Sequence, residues 1–131
     1  MTKLKLLMGI GLASLLAMPG VMAADYLGGT VKSVDMDGKS VLTDANGMTL
    51  YIFDKDTAGV TNCYDQCATN WPPLMAEEGA APEGEFTLVE RTDGTTMWAY
   101  KGMPLYLWVK DTKAGDITGD GVGGVWHLAV E

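Results

Sequence analysis

Runs of alternating apolar and polar residues, separated by short turn signals, occupy most of this chain. Val31 to Met36 alternates, Asp37-Gly38 follows, and Ser40 to Asp44 resumes a β-forming run. Asn46-Gly47 comes next, then Met48 to Phe53. Asp-Gly and Asn-Gly between such runs are the strongest short hairpin signals, because a type I′ turn needs positive φ at both central residues. The plan returns as Phe86 to Thr92, Asp93-Gly94, Thr95 to Tyr100, Lys101-Gly102 and Met103 to Val109. Each unit reads as a three-stranded antiparallel meander, and Val125 to Val130 reads as a seventh strand. The pattern predicts an all-β protein, a small antiparallel sandwich or barrel built from two pseudo-repeats.

The repeat has one unbroken offset. Gly47, Met48, Leu50, Tyr51, Asp56, Thr57 and Trp71 recur as Gly102, Met103, Leu105, Tyr106, Asp111, Thr112 and Trp126, each 55 positions on. Self-similarity of this kind marks a duplicated supersecondary unit. The expected organisation is two repeats near 38–74 and 93–129, joined by a connector at 75–85. That connector holds Pro82, two glycines and four glutamates, an exposed composition. Pro72 and Pro73 cannot donate to a ladder, so the strand after Trp71 is expected to end there or lie at an edge.

After its third strand each unit carries a long loop, and here the copies differ. Thr61 to Cys67 suggests a short helical turn near 62–68, with Asn62 as N-cap and Asp65 near its positive end. Gly115 to Gly124 contains five glycines and two aspartates and reads as loop. Loops this long in a compact domain are often functional, so a site is sought there.

The start of the chain changes the setting. Lys3 and Lys5 precede an uncharged apolar run, Leu6 to Ala17, and Val21-Met22-Ala23 supplies small residues where a signal peptidase cuts. Residues 1–23 therefore read as a removed signal peptide, leaving 24–131 as a single β domain. Twelve apolar residues fall short of the ~20 that cross a bilayer, so no transmembrane segment is expected after signal removal. No Cys follows the run to accept a lipid. Removing 1–23 takes two lysines and no acid, moving the formal charge from −8 to −10. Phosphates would be repelled, which argues against nucleic acid as a partner.

Two hexapeptides carry a resemblance: Tyr51-Ile52-Phe53-Asp54-Lys55-Asp56 and Tyr106-Leu107-Trp108-Val109-Lys110-Asp111. Beside them stand Cys63 to Ala68 as Cys-x-x-x-Cys-Ala, Trp71-Pro72-Pro73, and Gly124-Val125-Trp126-His127. In these residues the chain resembles the family described as secreted repeat of unknown function, predicted lipoproteins with a Tyr-x-(Phe/Trp/Tyr)-x-x-Asp motif. The resemblance runs from about Gly38 to Val130. It implies an exported bacterial protein, periplasmic or secreted, and brings no established activity.

Cys63 and Cys67 are the only cysteines, and in an oxidising compartment the favoured reading is a disulfide pinning the loop. Residues four apart in a regular helix hold their Cβ atoms about 5–6 Å apart, whereas a disulfide wants about 3.5–4.5 Å. Either the turn is distorted or the thiols are free. The sharper alternative joins Cys63, Cys67 and the lone His127 in a copper or zinc site, since two thiolates and an imidazole suit those ions. Asp116, Thr118, Asp120 and Gly121 match the opening of a calcium loop, but its twelfth position is His127 rather than Glu, and a glycine-rich turn is the favoured reading. Tyr51 with Phe53, and Tyr106 with Trp108, share strand faces and read as core, each following Asp (Asp56, Asp111) fixing its loop. An aromatic ligand groove between the copies is the alternative.

No acid, base and nucleophile can be assigned together, so an enzyme is the least favoured class. The expectation is a non-enzymatic binding or envelope-associated module with no cofactor, its unknown small ligand or envelope protein held by the two long loops. The second hypothesis is a periplasmic redox or metal-handling protein using Cys63, Cys67 and His127.

Overall fold

A computed structural model describes residues 23–131 of the protein. The export signal read in 1–23 therefore lies outside the described residues, Ala23 excepted. Eight strands and one helix follow in order: β1 Ala23–Tyr26, β2 Val31–Met36, β3 Lys39–Asp44, β4 Tyr51–Phe53, α1 Gln66–Asn70, β5 Phe86–Glu90, β6 Thr96–Tyr100, β7 Met103–Pro104 and β8 Trp126–Leu128. They form three small antiparallel sheets, β1-β2-β3, β4-β8 and β5-β6-β7, and these do not close into a barrel. The fold is all-β, as the alternation predicts. β1 is an addition: Ala-Ala-Asp-Tyr carries little β signal, and it is extended because Ala23 to Tyr26 pair with Val34 to Val31.

The turns divide into two kinds. Asp37-Gly38 and Lys101-Gly102 have positive φ at both positions, as a type I′ turn requires. At Asn46-Gly47 and Asp93-Gly94 the glycine alone is positive, and the loops are one residue longer, closed by Asp44 N–H to the Met48 carbonyl and Arg91 N–H to the Thr95 carbonyl. Asp44 and Asp93 side chains accept amide N–H bonds inside these turns, which favours the wider form.

The meanders are shorter than the sequence reading, because the third run of each unit changes partner partway along. Thr49 still faces Thr43, but from Tyr51 onward the chain pairs with β8 of the other unit. The exchange occurs where three backbone segments meet. Leu50 N–H donates to Leu42, Leu42 N–H to Ala129, and Ala129 N–H to Leu50, each at 2.9 Å. The same ring recurs through Leu105, Trp98 and Leu74 at 2.9–3.0 Å. All six residues are buried, so these N–H and C=O groups need the partners they find.

The terminal strands are thus traded between units. Residues 126–131 complete the first unit, while 71–76 complete the second. Backbone pairing continues past Pro72 and Pro73 but on one side only, so of the two expected outcomes the edge placement holds. The Pro72 carbonyl accepts Leu107 N–H at 2.8 Å, Pro73 bridges Tyr106, and donation resumes at Leu74. A proline needs only to keep its missing N–H away from a ladder, and here its carbonyl does the pairing. The connector 75–85 runs largely exposed beyond it.

At the centre lies the pair Tyr51–Tyr106, whose N–H and C=O groups bond reciprocally at 2.8 and 3.0 Å. The two units are related by a pseudo-twofold axis through this pair. Alternate side chains of the central strands then enter two cores. Tyr51, Phe53, Tyr106, Trp71 and Trp126 face one, together with Cys63 from the first long loop. Leu50, Leu74, Leu105 and Ala129 face the other, under the hairpins with Leu42, Phe86 and Trp98.

Candidate functional site

The repeated aromatics collect into one stack. Phe53, Trp126, Trp71 and Trp108 lie ring on ring, with successive centroids 4.2, 3.8 and 3.9 Å apart. The middle pair, Trp71 and Trp126, is nearly parallel at 4°. Tyr51 and Tyr106 meet it edge-on at 79° and 90°. Offset stacks and T-shaped contacts are the arrangements that aromatic quadrupoles favour. Each Trp follows its repeat's loop and each Tyr begins its motif, so equal spacing places equivalent rings about the axis. The reading of the motif aromatics as core holds for Tyr51, Phe53 and Tyr106, while Trp108 is half-buried; Trp71 and Trp126 are buried with them. Its indole Nε1 is buried without a hydrogen-bond partner.

The motif tyrosines and aspartates are joined crosswise. The Tyr51 hydroxyl donates to Asp111 Oδ2 and that of Tyr106 to Asp56 Oδ2, both at 2.6 Å. The spacing within each motif gives no hint of this. It arises because the two tyrosine strands lie antiparallel, so each hydroxyl reaches the loop leaving the other strand. Each aspartate also fixes its own loop, as expected. Asp56 Oδ1 accepts Asn62 N–H at 2.7 Å, and Asp111 Oδ1 accepts Thr118 N–H at 2.9 Å and its hydroxyl at 2.6 Å. Thr61 Oγ1 adds a 2.5 Å bond to the Tyr106 oxygen, and Gly119 N–H a 3.1 Å bond to that of Tyr51.

Burial raises the Tyr51 and Tyr106 hydroxyls well above the usual tyrosine range, and their carboxylate acceptors push the same way. Burial likewise raises Asp56, partly offset by the bonds from Tyr106 and Asn62. The two tyrosine hydroxyls therefore keep their protons, donated in hydrogen bonds to the carboxylates, rather than exchange them. Gly119 is needed for closeness: a Cβ there would sit 2.9 Å from Trp71 Cη2 and from Tyr51 Cζ.

Cys63 and Cys67 are bonded to each other, with Cα atoms 5.2 Å apart. The turn is distorted in the way the spacing demanded. Cys63 precedes the helix, Asp65 takes φ 55° and ψ −123°, and α1 starts at Gln66. The helical turn therefore sits at 66–70 rather than 62–68. Asn62 does not cap it; its N–H goes to Asp56 and its side-chain nitrogen to the Lys55 carbonyl at 2.8 Å. Arg91, which no sequence signal singled out, is buried and holds this loop. Its guanidinium donates to the Cys63 carbonyl at 3.0 Å and lies over the Tyr64 ring at 4.5 Å.

The residues of the metal reading are not gathered. His127 lies on the face of β8 opposite Trp126, with Nε2 2.8 Å from Asp54 Oδ2, whereas both cysteines pack in the cluster that holds Trp126. No group of three or more His, Cys, Asp and Glu side chains converges among the described residues. In the calcium-like loop the oxygens point to separate donors. Asp116 accepts Thr112 N–H at 2.8 Å and the Lys113 ammonium at 3.0 Å, and these bonds hold its carboxyl down at about 2. Thr118 is turned to Asp111, and Asp120 receives Leu128 N–H at 3.3 Å.

The long loops thus close over the aromatic core, and the open concavities lie elsewhere. One of about 370 Å³ separates the connector from Leu88 and Thr96. Another, about 320 Å³, is walled by Tyr26, Leu27, Phe86 and Tyr100, with Glu83, Glu85 and Glu131 at its margin. Neither was legible in the sequence, because residues far apart in the chain build each of them.

Fold and site together define a duplicated all-β protein in which two equivalent units share one aromatic centre. The chain belongs to the family described as secreted repeat of unknown function, whose model matches it twice, at residues 32–75 and 87–130. No curated protein and no solved structure matches the chain. Among the described residues no helix is long and apolar enough to cross a membrane.

Proposed function

We propose that this protein is an exported, non-enzymatic binding module, working in the periplasm or beyond it. Its ligand surface is the aromatic and acidic concavity beside the connector rather than the crests of the long loops. The observation that supports this is the composition of the concavity: Tyr26, Leu27, Phe86 and Tyr100 form an apolar wall, and carboxylates rim it. Concave, mostly apolar surfaces with a few placed charges are the usual form of a ligand site. The non-enzymatic reading rests on the motif groups. Tyr51, Tyr106, Asp56 and Asp111, the candidates for acid or base, are buried and bonded to one another.

Titration of the exported chain against sugars, peptides and haem, followed by amide chemical shifts, tests the proposal. Saturable shifts at Leu27, Gly84 and Glu85 with one ligand class are expected. No shift with any class would leave a scaffold or protein-partner role. The redox or copper- and zinc-handling alternative requires the Cys63–Cys67 bond to open. Two free thiols and stoichiometric metal on natively exported protein, lost in Cys63→Ser, would reverse the preference.

A further inference from the structure

The concavity at Tyr26, Phe86 and Tyr100 has a more specific chemistry, and we infer that it binds a small quaternary ammonium cation. The inference rests on the binding-module reading above and names its ligand class. Phe86 sits between the two tyrosines, with ring centroids 5.3 Å from Tyr26 and 5.0 Å from Tyr100, tilted by 40° and 41°. Phe86 is almost fully buried and backs the two half-buried tyrosines, so the wall is an aromatic one presented chiefly by Tyr26 and Tyr100. Aromatic walls are what receive alkylated ammonium groups elsewhere. Tyr100 already receives an ammonium from this chain: Lys101 Nζ lies 5.3 Å from its ring centroid. Lys101 lines the neighbouring depression with Ile52 and Met103 and not this one, although its charge reaches Glu131 and leaves Glu83 and Glu85 as the uncompensated pair among the described residues.

Charge selects the ligand further. Glu83 and Glu85 are exposed and form no ion pair among the described residues. Glu131 is held by Ser40 at 2.6 Å and by the Tyr26 hydroxyl, which keeps its carboxyl below the usual glutamate range and therefore ionised. The rim is also fixed. Glu83 and Phe86 exchange backbone bonds at 2.9 Å in both directions, and Glu85 accepts Lys101 N–H at 2.9 Å. Three carboxylates around apolar rings favour a cation and repel zwitterions that carry phosphate or carboxylate. A primary ammonium is strongly hydrated and loses more on entering an apolar wall than a methylated one. A choline-like ion fits both conditions.

The test uses the exported chain, choline as probe, and 3,3-dimethylbutan-1-ol as its uncharged isostere, read by amide shifts. Saturable shifts at Leu27, Gly84, Glu85 and Phe86 are expected with choline, with the isostere at least about tenfold weaker. Glu85→Gln and Glu83→Gln are surface changes that leave the fold intact, and each should weaken choline about three- to tenfold. Phosphocholine should bind more weakly than choline. Equal binding of choline and its isostere, or no choline saturation below about 10 mM, overturns the inference. If a sugar or peptide then saturates the same amides, the binding-module reading survives without it; if nothing does, both fall.

Discussion

Replacing Tyr106 by Phe leaves Oδ2 of the buried Asp56 without the hydroxyl that donates to it, and Tyr51→Phe does the same to Oδ2 of Asp111. An unsatisfied buried group costs about 1–3 kcal/mol, so each variant should lose that much unfolding free energy, read as a lower urea midpoint with an unchanged slope. The same hydroxyls set an alkaline limit. Their folded pKa values lie above the unfolded value of ~10, so this contribution to stability is full below that pH and is lost as the pH climbs from there through the folded values. Absorbance at the phenolate band should show Tyr51 and Tyr106 ionising together with unfolding. The aromatic stack gives a contrast. Trp108→Phe copies Phe53 of the first unit and removes the unpartnered indole N–H, so it should cost under about 1.5 kcal/mol. Trp71→Ala, in the middle of the stack, should cost about 3–5 kcal/mol.

Among elements, the disulfide loop and the glycine loop do the same work by different means. The first is held by the Cys63–Cys67 bond, Asp56 and Arg91, the second by Asp111, Asp116 and the close approach of Gly119. Reduction should therefore loosen the first loop without unfolding the protein. A ring this short contributes about 2 kcal/mol, and hydrogen exchange should rise over 61–70 while 109–125 stays protected. Gly119→Ala must displace two buried rings and should cost about 1–3 kcal/mol or more. The strands were legible because alternation and turn residues are local signals. The helix was misplaced because Asn62 resembles a cap, and only the tertiary pull of Asp56 takes it elsewhere. Crossed Tyr–Asp bonds, traded terminal strands and the concavity could not be read, since each depends on which segments lie side by side.

For the whole molecule, the 55-residue repeat is plain in the sequence, but its meaning is not: each unit is completed by the terminal segment of the other. Residues 24–76 alone lack β8, Asp111 and the Trp126 ring that covers Phe53. Expressed separately, 24–80 and 81–131 should each lack the dispersed amide spectrum of a packed β protein. Mixed at equal concentration they should regain it, because the strand pairing, the Tyr–Asp bonds and the ring stack between the halves do not run through the connector. Recovery by either half alone would contradict the exchange.

Two halves that finish each other have the interface that a homodimer of short chains would have, here joined in tandem. Fusion removes the demand for sameness, and the chain has used that freedom: prolines stand at 72 and 73 where His127 and Leu128 stand opposite, and one loop has its cysteines while the other has glycines. A designed peptide carrying one half twice over should accordingly assemble as such a homodimer would, and its failure to do so would show that the divergence has become indispensable.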